Sequence, residues 1–187
     1  MKKLREPRVC QEPGCERRAK AGACAGGEGR AMKALSLTQP WPWIIFHLGK
    51  RIENRTRNLG NYRGTLALHA SKGMAAEDWW SAYDFVASRF GHVGFADQIP
   101  QPTALVRGAI VGVCEVVGQV GPDVTAIVGY DARWYMGAHA YLLSEVRELT
   151  APIPCKGALG FWTPPANVLA QLRDWMSGGA DDLHGGM

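Results

Sequence analysis

The sequence predicts a mixed α/β domain: a small β-barrel with helices packed outside it. Three observations carry this. Short β-branched and alternating runs recur along the chain, glycines punctuate them, and only two segments have the length and periodicity of long helices. Ala34–Leu37 reads as the first strand. Pro40–Leu48 reads as a short helix with proline in its first turn. Arg51–Arg57 is compatible with an extended segment. Gly64–Ala70 is a strand with Leu66 and Leu68 on one face. Ala75–Phe90 is the clearest helix, with Ala76, Trp79, Trp80, Tyr83, Val86, Ala87 and Phe90 at three- and four-residue spacing, so Trp79 or Trp80 should be buried. Residues 91–103 read as a Gly/Pro loop and Ala109–Val117 as a buried strand, with Gly108 and Gly112 allowing a bend or a close approach. Residues 118–132 read as a second loop, Ala140–Val146 as a strand, and Gly157–Trp162 as a strand or tight turn. Thr163 is placed to cap a last helix with Pro164 at its first position and Val168, Leu169, Leu172, Trp175 and Met176 on one face.

The 187 residues suffice for one domain. Composition and punctuation divide them into an N-terminal extension at 1–31, a barrel domain at 33–163, a C-terminal helix at 164–177 and a flexible tail at 178–187. The extension is rich in Gly, Ala, Arg and Glu. It carries Cys10, Cys15 and Cys24, whose spacing is similar to a short zinc segment of some phage-type HNH endonucleases; Gly27 stands where the fourth ligand, a histidine, would fall. A structural zinc site wants four ligands, so the favoured expectation is a non-domain extension ahead of Met32 that stability does not need. No metal or cofactor is expected in the domain.

Five cysteines are an odd number, and Cys114 and Cys155 have no local partner, which fits a reducing setting. No 18-residue apolar run occurs, and no apolar stretch follows the basic N-terminus. The expectation is a cytoplasmic protein without a membrane partner. Neither a G-x-G-x-x-G nor a G-K-[ST] loop follows a strand, and there is no G-x-S-x-G elbow. Nucleoside triphosphatases, dinucleotide enzymes and α/β-hydrolases are poor readings.

Charge is localised. Residues 1–31 hold eight Lys/Arg and four Asp/Glu, whereas residues 32–187 hold thirteen of each. Within the neutral body, Lys50 to Lys72 contains six cations (Lys50, Arg51, Arg55, Arg57, Arg63, Lys72) and one anion, Glu53. A local basic surface on a neutral body points to an anionic ligand, with a solvated charged loop as the alternative.

Four motifs stand in a fixed order: Ser36-Leu37-Thr38-Gln39-Pro40-Trp41, Lys50-x-x-Glu53-x-Arg55, Leu66-Ala-Leu-His69-Ala-Ser71-Lys72, and Lys156-Gly-Ala-Leu-Gly-Phe-Trp162. In that order, across about residues 33–163, they resemble the ASCH-domain family. Gly49 directly precedes Lys50 here, and Leu48 takes the family's usual glycine place. The resemblance implies a PUA-like barrel associated with RNA binding, with the motif residues lining a cleft beside it.

The residues have chemistry of their own. In an extended segment Glu53 and Arg55 share a face, and Lys50 can join them to fix an anion or a polar base edge; a structural salt bridge is the alternative. Trp41 can stack a nucleobase while Gln39 bonds its edge, or Trp41 can simply pack under the first helix. His69 fits either the cleft or a hydrogen-bonded wall, and Ser71 and Lys72 end that strand at a rim. The ligand-binding set is therefore Gln39, Trp41, Lys50, Glu53, Arg55, His69, Ser71 and Lys72, and the expected partner is RNA, a nucleotide or a modified nucleoside. The resemblance also implies an alternative, a hydrolase: an amidohydrolase on acylated cytosine nucleosides, or a nuclease, with Lys50 and Glu53 catalytic. Amidohydrolase-type members resemble Lys-x-x-Thr at this place. Glu53 supplies no hydroxyl nucleophile, so binding ranks above hydrolysis.

Overall fold

A computed structural model describes residues 32–121 and 129–178. The expectations for residues 1–31, including Cys10, Cys15 and Cys24, and for residues 179–187 concern segments outside the described residues. The elements run β1 Lys33–Leu37, α1 Trp41–His47, β2 Ile52–Arg55, β3 Gly64–Ala70, α2 Ala76–Phe90, β4 Ala109–Val120, β5 His139–Pro154, β6 Phe161–Trp162 and α3 Ala166–Gly178. The six strands form one sheet in the order β2-β5-β4-β3-β1-β6. β1 and β3 are parallel, and every other pair is antiparallel. The sheet curls into a half-barrel with three helices.

Strand alternation sorts the core into layers. Leu35 and Leu37 of β1, Leu66 and Leu68 of β3, and Cys114 and Val116 of β4 pack with Ile45 of α1 inside the curl. Ala34, Ala67 and Val113, one residue out of phase, face the other way and take Val168 and Leu172 of α3. Both faces of these strands are therefore buried, and the small Ala34 and Ala67 let α3 approach closely. A third cluster joins Ile44 of α1 to Trp79, Ala82 and Val86 of α2. Trp79 is the buried tryptophan of α2, its indole N–H donating to the Pro100 carbonyl at 2.8 Å, while Trp80 is 57% exposed.

No ladder joins β2 to β6 among the described residues; side chains and the 56–63 segment span the seam. Arg55 Nη2 of edge strand β2 donates to the Ser36 carbonyl of β1 at 3.2 Å, past the point where β6 stops. The Tyr141 hydroxyl of β5 donates to the Gly60 carbonyl and accepts from the Leu59 N–H, each at 3.0 Å. Tyr62 packs its ring on Phe161.

Three elements differ from the sequence reading. β5 extends to Pro154, eight residues past Val146, because its second half has an exposed, charged outer face that hides the alternation. A register shift and the positive φ of Glu145 (45°) break its period further. β4 runs to Val120, into what read as a loop. Thr163 does not cap the last helix: α3 starts at Ala166, the Pro165 carbonyl accepts from Val168 and Leu169, and the Thr163 hydroxyl instead accepts from Lys33 Nζ at 2.8 Å.

Candidate anion-binding cleft

The ends of three strands are knitted by backbone bonds. The Gly108 N–H donates to the Ala70 carbonyl at 2.8 Å, and the Gly108 carbonyl accepts from the Cys155 N–H at 3.1 Å. This joins the C-terminal end of β3, the start of β4 and the exit of β5. Each strand end carries a cation just beyond it: Lys72, Arg107 and Lys156. All three are exposed and line one cleft of about 780 Å³, with Ser36, His69, Ser71, Gly157 and Leu159. No carboxylate lines the cleft, and among the described residues none of the three cations is in an ion pair.

His69 is buried in the cleft wall. Its Nε2 is 3.1 Å from the Cys155 carbonyl, which can only accept, so Nε2 carries the proton and Nδ1 is left as an acceptor without a donor. The Trp162 indole meets the imidazole edge-on and donates to Ser36 Oγ at 3.1 Å. Gly157 fits against this pair because it has no side chain. A Cβ there would lie 2.5 Å from His69 Cε1 and 2.7 Å from Ser36 Oγ.

Burial pushes the His69 pKa below its usual 6.5, against the opposing hydrogen bond to Cys155. The unfolded chain then takes up a proton near pH 6.5 that the folded protein refuses. His69 therefore adds stability above pH 6.5 that is lost as pH falls toward the folded value. Urea denaturation across that range should show a decline that His69→Gln, which keeps a side-chain N–H but cannot titrate, flattens. An equal decline in both proteins would place the titrating group elsewhere.

The predicted site residues fall in three places. His69, Ser71 and Lys72 line the cleft. Lys50, Glu53, Arg55 and Trp41 gather elsewhere, and the reason is strand parity. Glu53 pairs with Tyr141, which packs inside the curl, whereas Ser36 and His69 share the parity of Ala34 and Ala67 on the α3 side. Gly49, at φ 71°, ends α1 and turns Lys50 inward. Lys50 and Glu53 are 1% and 6% exposed. Glu53 Oε2 accepts from Lys50 Nζ at 2.8 Å, and its Oε1 is 3.3 Å from Arg55 Nη2. Lys50 Nζ also sits 5.4 Å from the centre of the Trp41 ring, which is half-buried with its edge or face toward Phe85. Gln39, 3% exposed, belongs to the wall of a second cavity. Arg55 links the ion cluster to the cleft through the Ser36 carbonyl.

Arg107, Lys156 and Ser36 were not among the predicted site residues. Lys156 and Ser36 were visible in the motifs, whereas Arg107 has no sequence signal beyond the glycine that follows it. Among the described residues no group of three or more His, Cys, Asp or Glu is placed to hold a metal ion, and no helix is long and apolar enough to cross a membrane.

No protein-family model matches the chain, and no curated protein matches it. Among solved structures, it is similar to the crystal structure of a mutant ZmASCH protein from Zymomonas mobilis. The identity is 13% and the TM-score 0.47, over 78% of this chain and 98% of that one. The chain resembles the ASCH family in the order of its motifs, and it has the mixed α/β, half-barrel fold class that the resemblance implies.

Proposed function

We propose that the domain is an ASCH-type binding module that takes RNA or a nucleotide in the cleft at the ends of β3, β4 and β5. One observation carries this reading: Lys72, Arg107 and Lys156, from three separate strand ends, surround a single cleft with no carboxylate to neutralise them. Three unpaired cations around one concavity suit phosphate groups. The Ser36 and Ser71 hydroxyls and the His69 imidazole add polar contacts for a sugar or a base. Hydrolysis through Lys50 and Glu53 is the weaker reading, because both are buried and neither lines this cleft.

The test is fluorescence anisotropy with a labelled single-stranded RNA over a series of salt concentrations, with product analysis of the same samples. Lys72→Ala, Arg107→Ala and Lys156→Ala should each weaken binding. Each should also reduce the slope of log K against log salt by about 0.7, one phosphate's share on a single strand. Wild-type affinity and slope in all three variants would remove the cleft as the ligand site, and cleaved RNA would favour the hydrolytic reading.

A further inference from the structure

Helix α2 has two unlike faces. Trp79, Ala82 and Val86 are buried, whereas Glu77, Trp80 and Asp84 form an exposed stripe at i, i+3 and i+7. Among the described residues, Trp80 is the largest exposed apolar side chain. Its ring is held in place from below. The Trp79 indole is tied to the Pro100 carbonyl, and Tyr83 stacks on Trp79 with centroids 5.2 Å apart and planes at 18°. Trp80 stands across this stack, at 88° to Trp79 and 78° to Tyr83. The Tyr83 hydroxyl donates to Asp97 Oδ1 at 2.7 Å, which fastens the stack to the segment after α2.

The charges beside this ring are of one sign. Glu77 and Asp84 lie about one turn from Trp80 in either direction. Both are exposed, and among the described residues neither is in an ion pair. The neighbouring Asp78 is already used, its Oδ2 accepting from the Ala75 N–H at the start of the helix. Arg89 is the single cation of α2, and it is committed elsewhere: it lies over the Phe85 ring and donates to the Arg133 and Tyr135 carbonyls. The chemistry of an occupant follows from this charge pattern. An apolar surface would cover Trp80 but strip water from two unpaired carboxylates. A phosphate backbone would be repelled by them. A guanidinium or ammonium suits both features, because it is attracted to an indole face and pairs with carboxylates.

We propose that this face of α2 docks an arginine-rich segment of a partner protein, with one arginine seated on Trp80 and its neighbours paired to Glu77 and Asp84. Arginine suits the site better than lysine, because its planar guanidinium stacks on an aromatic ring while its N–H groups still reach a carboxylate. A ring already fixed by its neighbours loses little freedom when covered, which is what a binding anchor needs. None of the three residues lines the cationic cleft, so an anionic ligand and a basic protein segment have separate places on the domain.

The probes are a labelled peptide of alternating arginine and glycine and its counterpart with glutamine for arginine, titrated into the full chain by fluorescence anisotropy. The arginine peptide should bind and the glutamine peptide should not. Trp80→Ala should weaken binding at least about five-fold, with Trp80→Phe in between, since phenylalanine keeps a ring with a weaker pull on cations. Asp84→Asn should weaken it about two- to five-fold and flatten its salt dependence. Asp174→Asn removes one exposed carboxylate from α3 and should leave binding unchanged. The proposal is overturned if wild type binds neither peptide or both equally, if Trp80→Ala binds as wild type does, or if Asp84→Asn and Asp174→Asn behave alike. It is also overturned if Trp80→Ala dissolves a dimer of the wild-type chain, which would make a second copy the occupant, or if Trp80→Ala lowers RNA affinity, which would make the occupant a nucleic acid. Binding of RNA in the cleft can fail through Lys72, Arg107 and Lys156 without altering any of the peptide results.

Discussion

Replacing Glu53 with alanine is expected to cost about 3–5 kcal/mol of folding stability, a large share of the 5–15 kcal/mol typical of a domain. Lys50 is 1% exposed, and its ammonium donates to Glu53 Oε2 at 2.8 Å. The Trp41 ring lies beside it at 5.4 Å but can replace only a fraction of the lost carboxylate interaction. Without Glu53, a buried cation has no counter-charge. Arg55 is less affected, since it keeps the Ser36 carbonyl and is partly exposed. The converse change, Lys50→Met, should cost less, because Glu53 retains Arg55 at 3.3 Å. The double variant Lys50→Met/Glu53→Leu should recover most of the Glu53→Ala loss, because a buried ion pair replaced by apolar groups of similar volume is often neutral. Urea midpoints at unchanged m-value measure all three. A loss below about 1 kcal/mol in Glu53→Ala would mean that Lys50 reaches water and that the pair is not a buried one.

The local patterns were legible wherever one face of an element is apolar and the other is not. β3 has the bounds the sequence suggests, because Leu66 and Leu68 alternate with smaller residues between a glycine start and a polar end. α2 is legible for the same reason at helical period, though Trp80 shows that an aromatic at the right spacing can still face water. The second half of β5 was not legible. Its exposed residues mix charged Glu145, Arg147 and Glu148 with Thr150, Ala151 and two prolines, and its pairing with β4 shifts register, so neither period survives. The candidate site was half legible. The run from Lys50 to Lys72 marks a basic region, but proximity in sequence does not tell which face of the curled sheet each residue takes. Arg107 joins Lys72 only because the Gly108 N–H bonds the Ala70 carbonyl, a long-range pairing that no local spacing encodes.

Gly157→Ala should damage both stability and ligand binding, and it tests the cleft without removing a charge. The new methyl would sit 2.5 Å from His69 Cε1, 2.6 Å from its Nδ1 and 2.7 Å from Ser36 Oγ. Neither neighbour can easily yield. The imidazole is held by the Cys155 carbonyl on one side and the Trp162 indole on the other, and Ser36 Oγ accepts the same indole's N–H. The backbone of residues 155–158 must lift instead, at a cost of about 1–3 kcal/mol for an overpacked site. Lys156 moves with it. RNA affinity should therefore fall by at least the loss seen in Lys156→Ala, with a similar reduction in salt slope, although every cation is still present. Gly73→Ala is the matched control. It adjoins Lys72, and a Cβ there meets nothing within 4 Å, so both stability and binding should stay at wild-type values. If Gly157→Ala melts and binds like wild type, the Lys156 segment is not packed on His69, and the cleft does not have the shape on which the binding proposal depends.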